Sequence, residues 1–388
     1  MSEWVEAALG DLASVVTGQT PQADEADSWG DFCDFITPSD QRDGVRDVRP
    51  ERRLSTVGME RLVKRLVPTG ATNLTCIGST IGKVSQTLSP AVTNQQINSL
   101  IAREGITHPG YLYYMIKDWS PSLASAASGS ATPIVNKAVL SRFVFRVPPL
   151  KEQRAIAEVL GALDDKIAAN TRAATTAREL MVSLTSLAQG RCELRDVVEI
   201  VKSSVKPEEL GDAAVDHFSL PAFDVGEGPE LIQADAIKSN KTAIAQPSVL
   251  VSKLNPRIPR VWDVVTVSER PSLGSTEFLV LEPRGVTSSV LWAVLSQPAF
   301  WSELSGMVAG TSGSHQRVRP DDVLGVEVID PRSISEPCRG AITALGERVD
   351  QFRAEIVALA NTRDALLPLL LSGRVTVKDA ESLVEGVA

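Results

Sequence analysis

An internal repeat constrains the fold of this chain more than any other feature of its sequence. Short segments of the first half recur in the second half in the same order, at an offset of about 184 residues. The matching pairs are LGDLASVVTGQTP (9–21) with LRDVVEIVKSSVKP (194–207), GSATPIVNKAVL (129–140) with GSHQRVRPDDVL (313–324), RVPPL (146–150) with VIDPR (328–332), and LAQGR (187–191) with LLSGR (370–374). Each match is weak alone, but their common order indicates a tandem duplication. We therefore expect two similar halves with pseudo-two-fold symmetry.

Each half ends in a long segment with the periodicity of a coiled-coil helix. Residues 151–189 contain almost no helix breaker, and their apolar residues alternate steps of four and three. The same alternation runs from Ile342 to Leu370 in the second half. A helix of about 38 residues is roughly 57 Å long and cannot bury its apolar stripe alone. We therefore predict that the two helices pack against each other in antiparallel orientation.

Two polar residues interrupt these apolar stripes. Asn170 and Arg363 occupy core positions of the heptad pattern. Each is either solvated near a frayed end of the seam or a buried polar site that fixes the register. Pro368 is predicted to kink or terminate the second helix, because proline cannot donate a backbone hydrogen bond.

The remaining segments predict an α+β fold, with two pseudo-symmetric α/β domains separated by two long antiparallel coiled-coil helices. Short apolar runs predict strands at 73–78, 248–254 and 274–283. Helices are expected at 111–119 and 290–304, the latter broken at Pro298. The predicted boundaries are 1–150 for the first domain, 151–190 for the first long helix, 191–333 for the second domain, 334–375 for the second long helix and 376–388 for a tail.

The composition indicates a soluble cytoplasmic protein. The N-terminal segment lacks the basic and apolar regions of a signal peptide, and no apolar run reaches the roughly 18 residues of a membrane span. Four scattered cysteines and three distant histidines favour free thiols over disulfides or a metal site. The formal net charge of −9 argues against a nucleic-acid ligand, although a local basic patch can be hidden in such a sum.

Basic residues do cluster locally. The usual interpretation of one such cluster is a solvated surface, but these clusters fall in equivalent parts of the repeat. The clusters are Arg42, Arg46, Arg49, Arg52, Arg53, Arg61, Lys64 and Arg65; Lys253, Arg257 and Arg260; and Arg317 with Arg319.

No catalytic motif is complete in this sequence. The stretch GSTIGKV (78–84) resembles a phosphate-binding loop, but it is one residue short and Val84 replaces the magnesium-binding hydroxyl. The following residues do not predict a helix, so no helix dipole supports an anion there. NPRI (255–258) begins like an amino-methyltransferase motif and then departs from it. We therefore expect no catalytic residues and no metal ligands in this chain.

The ordered set of motifs resembles the specificity subunit of type I restriction–modification systems. The resemblance rests on the duplication, on PPLKEQRAIAEVLGALDDKI (148–167) opening the first helix, and on LLPLLLSGRV (366–375) closing the second. Within the domains, GSTIGKV, TNQQI (93–97), VLVSKLNPRIPRVW (249–262), STEFLVLEP (275–283) and TSGSHQRVRPDDV (311–323) are similar to segments of such subunits. One departure is that the second helix opens with ISEPCRGAITAL, without a PPLKEQ-like stretch.

The resemblance implies a non-catalytic subunit of a bacterial or archaeal complex. Its two target-recognition domains would each recognise half of a split double-stranded DNA sequence, and the helices would set the spacer. Partners would be methyltransferase subunits, with two copies expected, and through them restriction subunits. S-adenosylmethionine and ATP with Mg²⁺ would bind those partners, and no cofactor this chain. Open alternatives are the recognition subunit of another methylation-based phage-defence system, a scaffold or adaptor protein, and an intrinsic enzyme.

Polar loop residues are the candidate DNA contacts in this interpretation. Asn and Gln can pair with adenine in two places, Arg and Lys suit guanine or phosphate, and Ser and Thr suit either. The first-domain candidates are Thr80, Lys83, Asn94, Gln95, Gln96 and Thr132. The second-domain candidates are Lys253, Asn255, Arg257, Arg260, Ser314, His315, Gln316 and Arg317. Lys83 and Arg260 are expected to occupy equivalent positions of the repeat.

Overall fold

The chain divides into two units, and each contains a part of both long helices. The computed structural model describes residues 4–127, 135–226, 228–307 and 316–385. The first unit comprises residues 1–167 and 358–388, and the second comprises residues 168–357. The boundary between the units therefore falls within each long helix.

The first half of the chain alternates short strands with helices and ends in a 36-residue helix. In chain order its elements are β1 (Val5–Ala8), α1 (Leu9–Leu12), β2 (Ala13–Thr17), β3 (Trp29–Ile36), β4 (Asp47–Val48), β5 (Arg52–Leu54), α2 (Thr56–Arg61), β6 (Thr72–Thr75), β7 (Val84–Thr87), β8 (Ala91–Thr93), β9 (Ile97–Ala102), α3 (Pro109–Ala127), α4 (Lys137–Leu140), β10 (Val144–Val147) and α5 (Leu150–Thr185).

The second half has a similar but not identical order of elements. Its elements are β11 (Arg191–Glu193), β12 (Val198–Ile200), β13 (Ser204–Val205), β14 (Ala214–Phe218), α6 (Leu220–Val225), β15 (Glu230–Gln233), β16 (Lys241–Ile244), β17 (Ser248–Ser252), β18 (Val261–Val264), β19 (Ser272–Gly274), β20 (Phe278–Pro283), α7 (Ser288–Leu295), α8 (Pro298–Gly306), α9 (Pro320–Leu324), β21 (Glu327–Ile329), α10 (Glu336–Leu371) and α11 (Val377–Glu385).

The sheets confirm the duplication. In the first unit the strand order is β2-β9-β6-β7-β4, and in the second it is β12-β20-β17-β18. The four shared positions are occupied by corresponding strands, and all their pairings are antiparallel. The antiparallel pair of β1 with β10 recurs as the antiparallel pair of β11 with β21. The parallel pair of β3 with β8 recurs as β14 with β19.

Buried helices pack beside the central strands of both units. All six residues from Tyr111 to Ile116 of α3 are buried, as is every residue of α7. The predicted break at Pro298 is confirmed, since α8 begins there. The run predicted as one strand at 274–283 is instead two strands. A turn separates them, in which the Ser275 side chain accepts a hydrogen bond from the Glu277 amide at 3.3 Å.

The two long helices run antiparallel within each unit, as predicted. In the second unit Asn170 of α5 bonds Glu355 of α10, whereas Ala174 and Ala177 further along α5 pack near Val349, earlier in α10. In the first unit Leu160 and Leu163 of α5 share a core with Leu359, Leu366 and Leu370 of α10. The heptad positions thus form the buried seam that their spacing predicts.

The two polar seam residues are buried and bonded, which rules out the solvated alternative. Asn170 is 3% exposed and its amide donates to the Glu355 carboxylate. Arg363 is 2% exposed, and it donates to the Asp164 carboxylate at 2.6 Å and to the Gly44 carbonyl at 3.0 Å. Such directional contacts favour one register over its neighbours.

The second long helix continues past its proline. Pro368 lies inside α10, which ends at Leu371. Gly373 follows with φ of +71°, a left-handed conformation that ends helices and suits glycine. The helix is therefore terminated by the glycine signal of LLSGR. In the described parts of the chain, no helix has the length and apolarity needed to cross a membrane.

Candidate nucleic-acid interface

The loop that resembles a phosphate cradle is a β-hairpin turn in the first unit. It joins β6 to β7, and it closes where the Thr75 amide donates to the Lys83 carbonyl and the Gly82 amide to the Thr75 carbonyl, both at 2.9 Å. Gly78 and Gly82 have φ of +91° and +92°, which explains the glycines without any nucleotide. A strand follows, so the arrangement lacks the helix of a nucleotide-binding loop.

Lys83 and Thr80 lie in this turn and are half-buried. The Lys83 ammonium donates to the main-chain carbonyl of Gln41 at 2.9 Å. This contact holds the cation at the base of the turn and uses one of its three donors. The remaining donors are chemically suited to a phosphate or a base acceptor.

The TNQQ segment lies next to the turn, because the Cys76 amide donates to the Gln96 carbonyl at 2.8 Å. Asn94 is 9% exposed, and its side chain accepts from the Gln96 amide at 3.0 Å and donates to the Gln96 side chain at 3.1 Å. Asn94 therefore shapes the loop. Gln95 is exposed, and its side-chain oxygen accepts from the Thr20 hydroxyl at 2.7 Å, which leaves its amide donors for a ligand.

The corresponding turn in the second unit brings together more of the predicted residues. The Asn255 amide donates to the Gln316 carbonyl at 2.9 Å, and the Val318 amide donates to the Lys253 carbonyl at 3.1 Å. These bonds place Gln316 and Arg317 alongside the strand end at Lys253. Asn255 has φ of +49°, at the position that Gly78 occupies in the first unit.

The two turns are equivalent in register. The Ser252 amide donates to the Arg260 carbonyl at 3.0 Å, which repeats the bond from Thr75 to Lys83. The next residues, Val84 and Val261, begin β7 and β18. This confirms the predicted equivalence of Lys83 and Arg260.

Acidic residues hold two of the second-unit arginines in fixed orientations. Arg317 makes a two-bond contact with Glu277, at 2.8 and 3.0 Å, and this hydrogen-bonded partner lowers the pKa of Glu277. Arg260 makes a similar contact with Asp224, at 2.6 and 2.8 Å. Arg257 is exposed and has no ion pair with the described residues. Neither Glu277 nor Asp224 was among the residues predicted for this site, although Glu277 lies in the STEFLVLEP segment.

The large basic cluster of the first unit is partly neutralised. Arg46 pairs with Asp47 and Asp165, Arg53 with Asp34, and Arg61 with Asp27. The Arg52 guanidinium stacks 3.6 Å from the centre of the Trp29 ring. Three of its eight members therefore form ion pairs and one stacks on an aromatic ring, while the other four form no ion pair with the described residues.

Three candidate residues, Thr132, Ser314 and His315, lie outside the described residues. Among the described residues, no group of three or more His, Cys, Asp or Glu side chains could hold a metal ion.

Comparison with known proteins points to a single family. The family of type I restriction modification DNA specificity domains matches residues 1–176. A type I restriction enzyme HindI specificity subunit from Haemophilus influenzae is 32% identical over 154 residues, 38% of this chain and 32% of that protein. The MjaIX specificity subunit from Methanocaldococcus jannaschii is 30% identical over 169 residues, 42% of this chain and 39% of that protein. The matched stretch thus spans about a third of these relatives.

Two further similarities cover nearly the whole chain. The MjaVIII specificity subunit from Methanocaldococcus jannaschii is 19% identical across 97% of this chain and 94% of that protein. The crystal structure of a type I restriction–modification S subunit from M. genitalium superimposes with a TM-score of 0.60 at 13% identity, covering 95% of this chain and 96% of that one. This second similarity establishes the fold.

Proposed function

We propose that this chain, which belongs to the family of type I restriction–modification specificity subunits, is the DNA-recognition subunit of such a system. The observation that carries the proposal is the pair of equivalent hairpin turns, one in each unit, on a duplicated fold. Each unit would recognise one half of a bipartite DNA sequence. The long helices would set the unread spacer between the halves.

The second-unit turn has the chemistry that base recognition requires. Arg317 is exposed and oriented by Glu277, and a planar guanidinium in a fixed orientation can contact guanine through two hydrogen bonds. Gln316 lies next to it and can contact adenine in the same two-bond manner. In the first unit Gln95 offers free amide donors, and Lys83 offers a cation. Phosphate contacts would position the chain, and these side chains would select the sequence.

The partners follow from this role. We infer that methyltransferase subunits, two in number, dock on the helices and bind S-adenosylmethionine. Restriction subunits would join through them and use ATP with Mg²⁺. In this assignment the chain itself performs no catalysis, binds no cofactor and acts in the cytoplasm. The net charge of −9 is then tolerable, because partner subunits can supply phosphate neutralisation.

Replacing Gln316 and Arg317 together with alanine is expected to abolish selection at one half of the target only. The reason is that both side chains lie at one turn of one unit, while the first-unit turn is unchanged. The measurement is methylation of a randomised duplex library by the complex with the cognate methyltransferase. Discrimination at the affected positions should fall by about tenfold or more, which corresponds to about 1–3 kcal/mol for each lost base contact.

Two control variants sharpen this experiment. Arg284→Ala removes an exposed arginine of the same unit, paired with Glu199 at 3.4 Å and distant in sequence from the turn, and should leave both halves intact. Gln95→Ala with Lys83→Ala should weaken the other half. Unchanged selection by both turn variants, or equal loss at both halves from one of them, would refute the assignment of one half-site to each turn.

A further inference from the structure

A cavity of about 300 Å³ lies in the second unit. The walls come from β18 and α7 on one side and from the second-unit halves of α5 and α10 on the other. The residues that matter for its chemistry are Arg178, Trp262, Asp263, Trp292, Ser296 and Arg353. None of them belongs to the DNA-contact candidates.

One oxygen of the Asp263 carboxylate lacks a hydrogen-bond donor among the described residues. Its Oδ1 is inaccessible to solvent and has no hydrogen-bond partner in the described structure. Its Oδ2 faces α10 at Gly346, where an added Cβ would lie 3.5 Å away. Burial raises the pKa of Asp263 to about 6, and this rise is partly offset by hydrogen bonds from the Ser289 and Ser288 side chains and by the Arg353 charge. With this pKa the carboxylate is largely ionised at neutral pH, and it has no ion pair with any described residue.

Arg178 is the complementary group, a cation without an acceptor. It makes no ion pair with any residue that the structure describes, and burial lowers its pKa to about 10, reinforced by the nearby Arg353 charge. Arg353 is instead paired with Asp350 at 3.3 Å. Asp263 favours the charged form of Arg178 through space, yet the two do not form an ion pair. The cavity therefore presents opposite charges that do not contact each other.

The remaining walls are apolar, apart from one hydroxyl. The Ser296 hydroxyl is buried without a partner. The indole N–H of Trp292 donates to the Val261 carbonyl at 3.1 Å, and that of Trp301 to the Leu295 carbonyl at 2.8 Å. Because these donors are already used, Trp292 and Trp301 offer only ring surface to a ligand.

The first unit shows that the fold does not require such unpaired charges. There Tyr114 of α3 donates to Asp164 at 2.7 Å, and Asp164 also accepts from Arg363. The first turns of α3 and α7 correspond. The Leu112 amide donates to the His108 carbonyl in α3, and the Leu291 amide donates to the Thr287 carbonyl in α7. On this alignment Ala293 replaces Tyr114, and by the register of the two turns Asp263 corresponds to the uncharged Gln86, whose amide donates to the Gly70 and Pro109 carbonyls.

We propose that this cavity binds a small zwitterionic molecule of the amino-acid class. An ammonium group donates to Asp263, a carboxylate accepts from Arg178, and an apolar side chain lies against the tryptophan rings. Each charged ligand group faces a side chain of opposite charge on the cavity wall that has no ion pair with a described residue, and the volume is sufficient for a large amino acid. The inference does not depend on DNA recognition, so either can fail without the other.

The experiment is calorimetric titration of the full chain with free phenylalanine, leucine and methionine. Each is compared with its carboxamide, which lacks the carboxylate, and its N-acetyl form, which lacks the ammonium. We expect binding by at least one amino acid, with both modified forms weaker by about tenfold or more. No heat from any of the three at about 10 mM, or equal binding of a modified form, would overturn the proposal.

Variants distinguish this site from unspecific binding. Asp263→Asn and Arg178→Gln should each weaken binding about tenfold or more, and Asp263→Asn is expected to fold because it removes a buried charge. Arg172→Gln, an exposed arginine of the same helix, is the matched control and should change affinity by less than about twofold. Unchanged affinity in both cavity variants would contradict the proposed contacts.

The affinity should also fall on acidification. Asp263 faces Arg353, Asp350, Ser288 and Ser289, with Arg178 across the cavity, and its pKa is about 6. Protonation below that value removes the acceptor for the ammonium, while the ligand's own groups change little between pH 5 and 7. Binding should therefore weaken about tenfold from pH 7 to pH 5 in the unmodified chain, and not in Asp263→Asn. A pH-independent affinity would rule out Asp263 as the acceptor.

Discussion

Replacing Arg363 with alanine is expected to destabilise the first unit by about 3–5 kcal/mol, since removal of one partner of a buried ion pair leaves the other charge unpaired. Asp164 would lose its bond from the guanidinium at 2.6 Å and keep only the Tyr114 hydroxyl. The Gly44 carbonyl would also lose its donor. The measurement is denaturant unfolding of the full chain, with hydrogen exchange to assign the loss to the first unit.

Two further variants serve as comparisons for Arg363→Ala. Arg154→Ala removes an exposed arginine of the same helix pair and should cost less than about 1 kcal/mol. The double variant Arg363→Met with Asp164→Leu should recover part of the loss, because an apolar pair avoids the unpaired buried charge while the Tyr114 hydroxyl and the Gly44 carbonyl still lose their partners. A loss below about 1 kcal/mol for Arg363→Ala would show that the ion pair is not a structural contact.

Inserting three heptads into each long helix is expected to lengthen the DNA spacer by about nine base pairs without changing either half-site. Twenty-one residues add about 31.5 Å of helix, and successive base pairs are about 3.4 Å apart. Whole heptads keep the seam in phase, and nine base pairs approach a full DNA turn of 10–10.5, so both halves stay on nearly the same face. Suitable positions are after Ala173 in α5 and after Asp350 in α10, within the seam that contains Val349.

A single-heptad insertion in both helices is the matched control. It also preserves the seam, but it corresponds to about three base pairs and turns the second half-site far around the DNA axis. We expect it to lose most methylation at any spacer. If the three-heptad variant kept the original spacer, the helices would not set the spacing.

The duplicated architecture and the seam between the long helices could be predicted, because both arise from repeated patterns in the sequence. The offset repeats predicted two similar halves, and the heptad steps predicted the seam, whereas the burial of Asn170 and Arg363 was one of two open alternatives that the structure decided. The equivalence of Lys83 and Arg260 followed from aligning the two halves. The repeats and the heptad spacing are patterns in the order of residues, which a single sequence contains.

The details of the site were not accessible, because they depend on contacts between distant segments. Asp224 lies 36 residues from Arg260, and Glu277 lies 40 residues from Arg317. No periodicity links them. Asn94 was predicted as a DNA contact, although its side chain bonds its own loop, so its contribution to recognition stays a prediction. The unpaired Asp263 and Arg178 likewise become visible only when four elements are assembled.

Long-read methylome sequencing of a host that expresses this chain with its methyltransferase tests the central claim most directly. The account predicts one bipartite motif, in which two short defined half-sites flank an undefined spacer of constant length. Deleting the gene for this chain should remove that methylation entirely. A continuous motif without a spacer, or the same methylated motif after the deletion, would contradict the account.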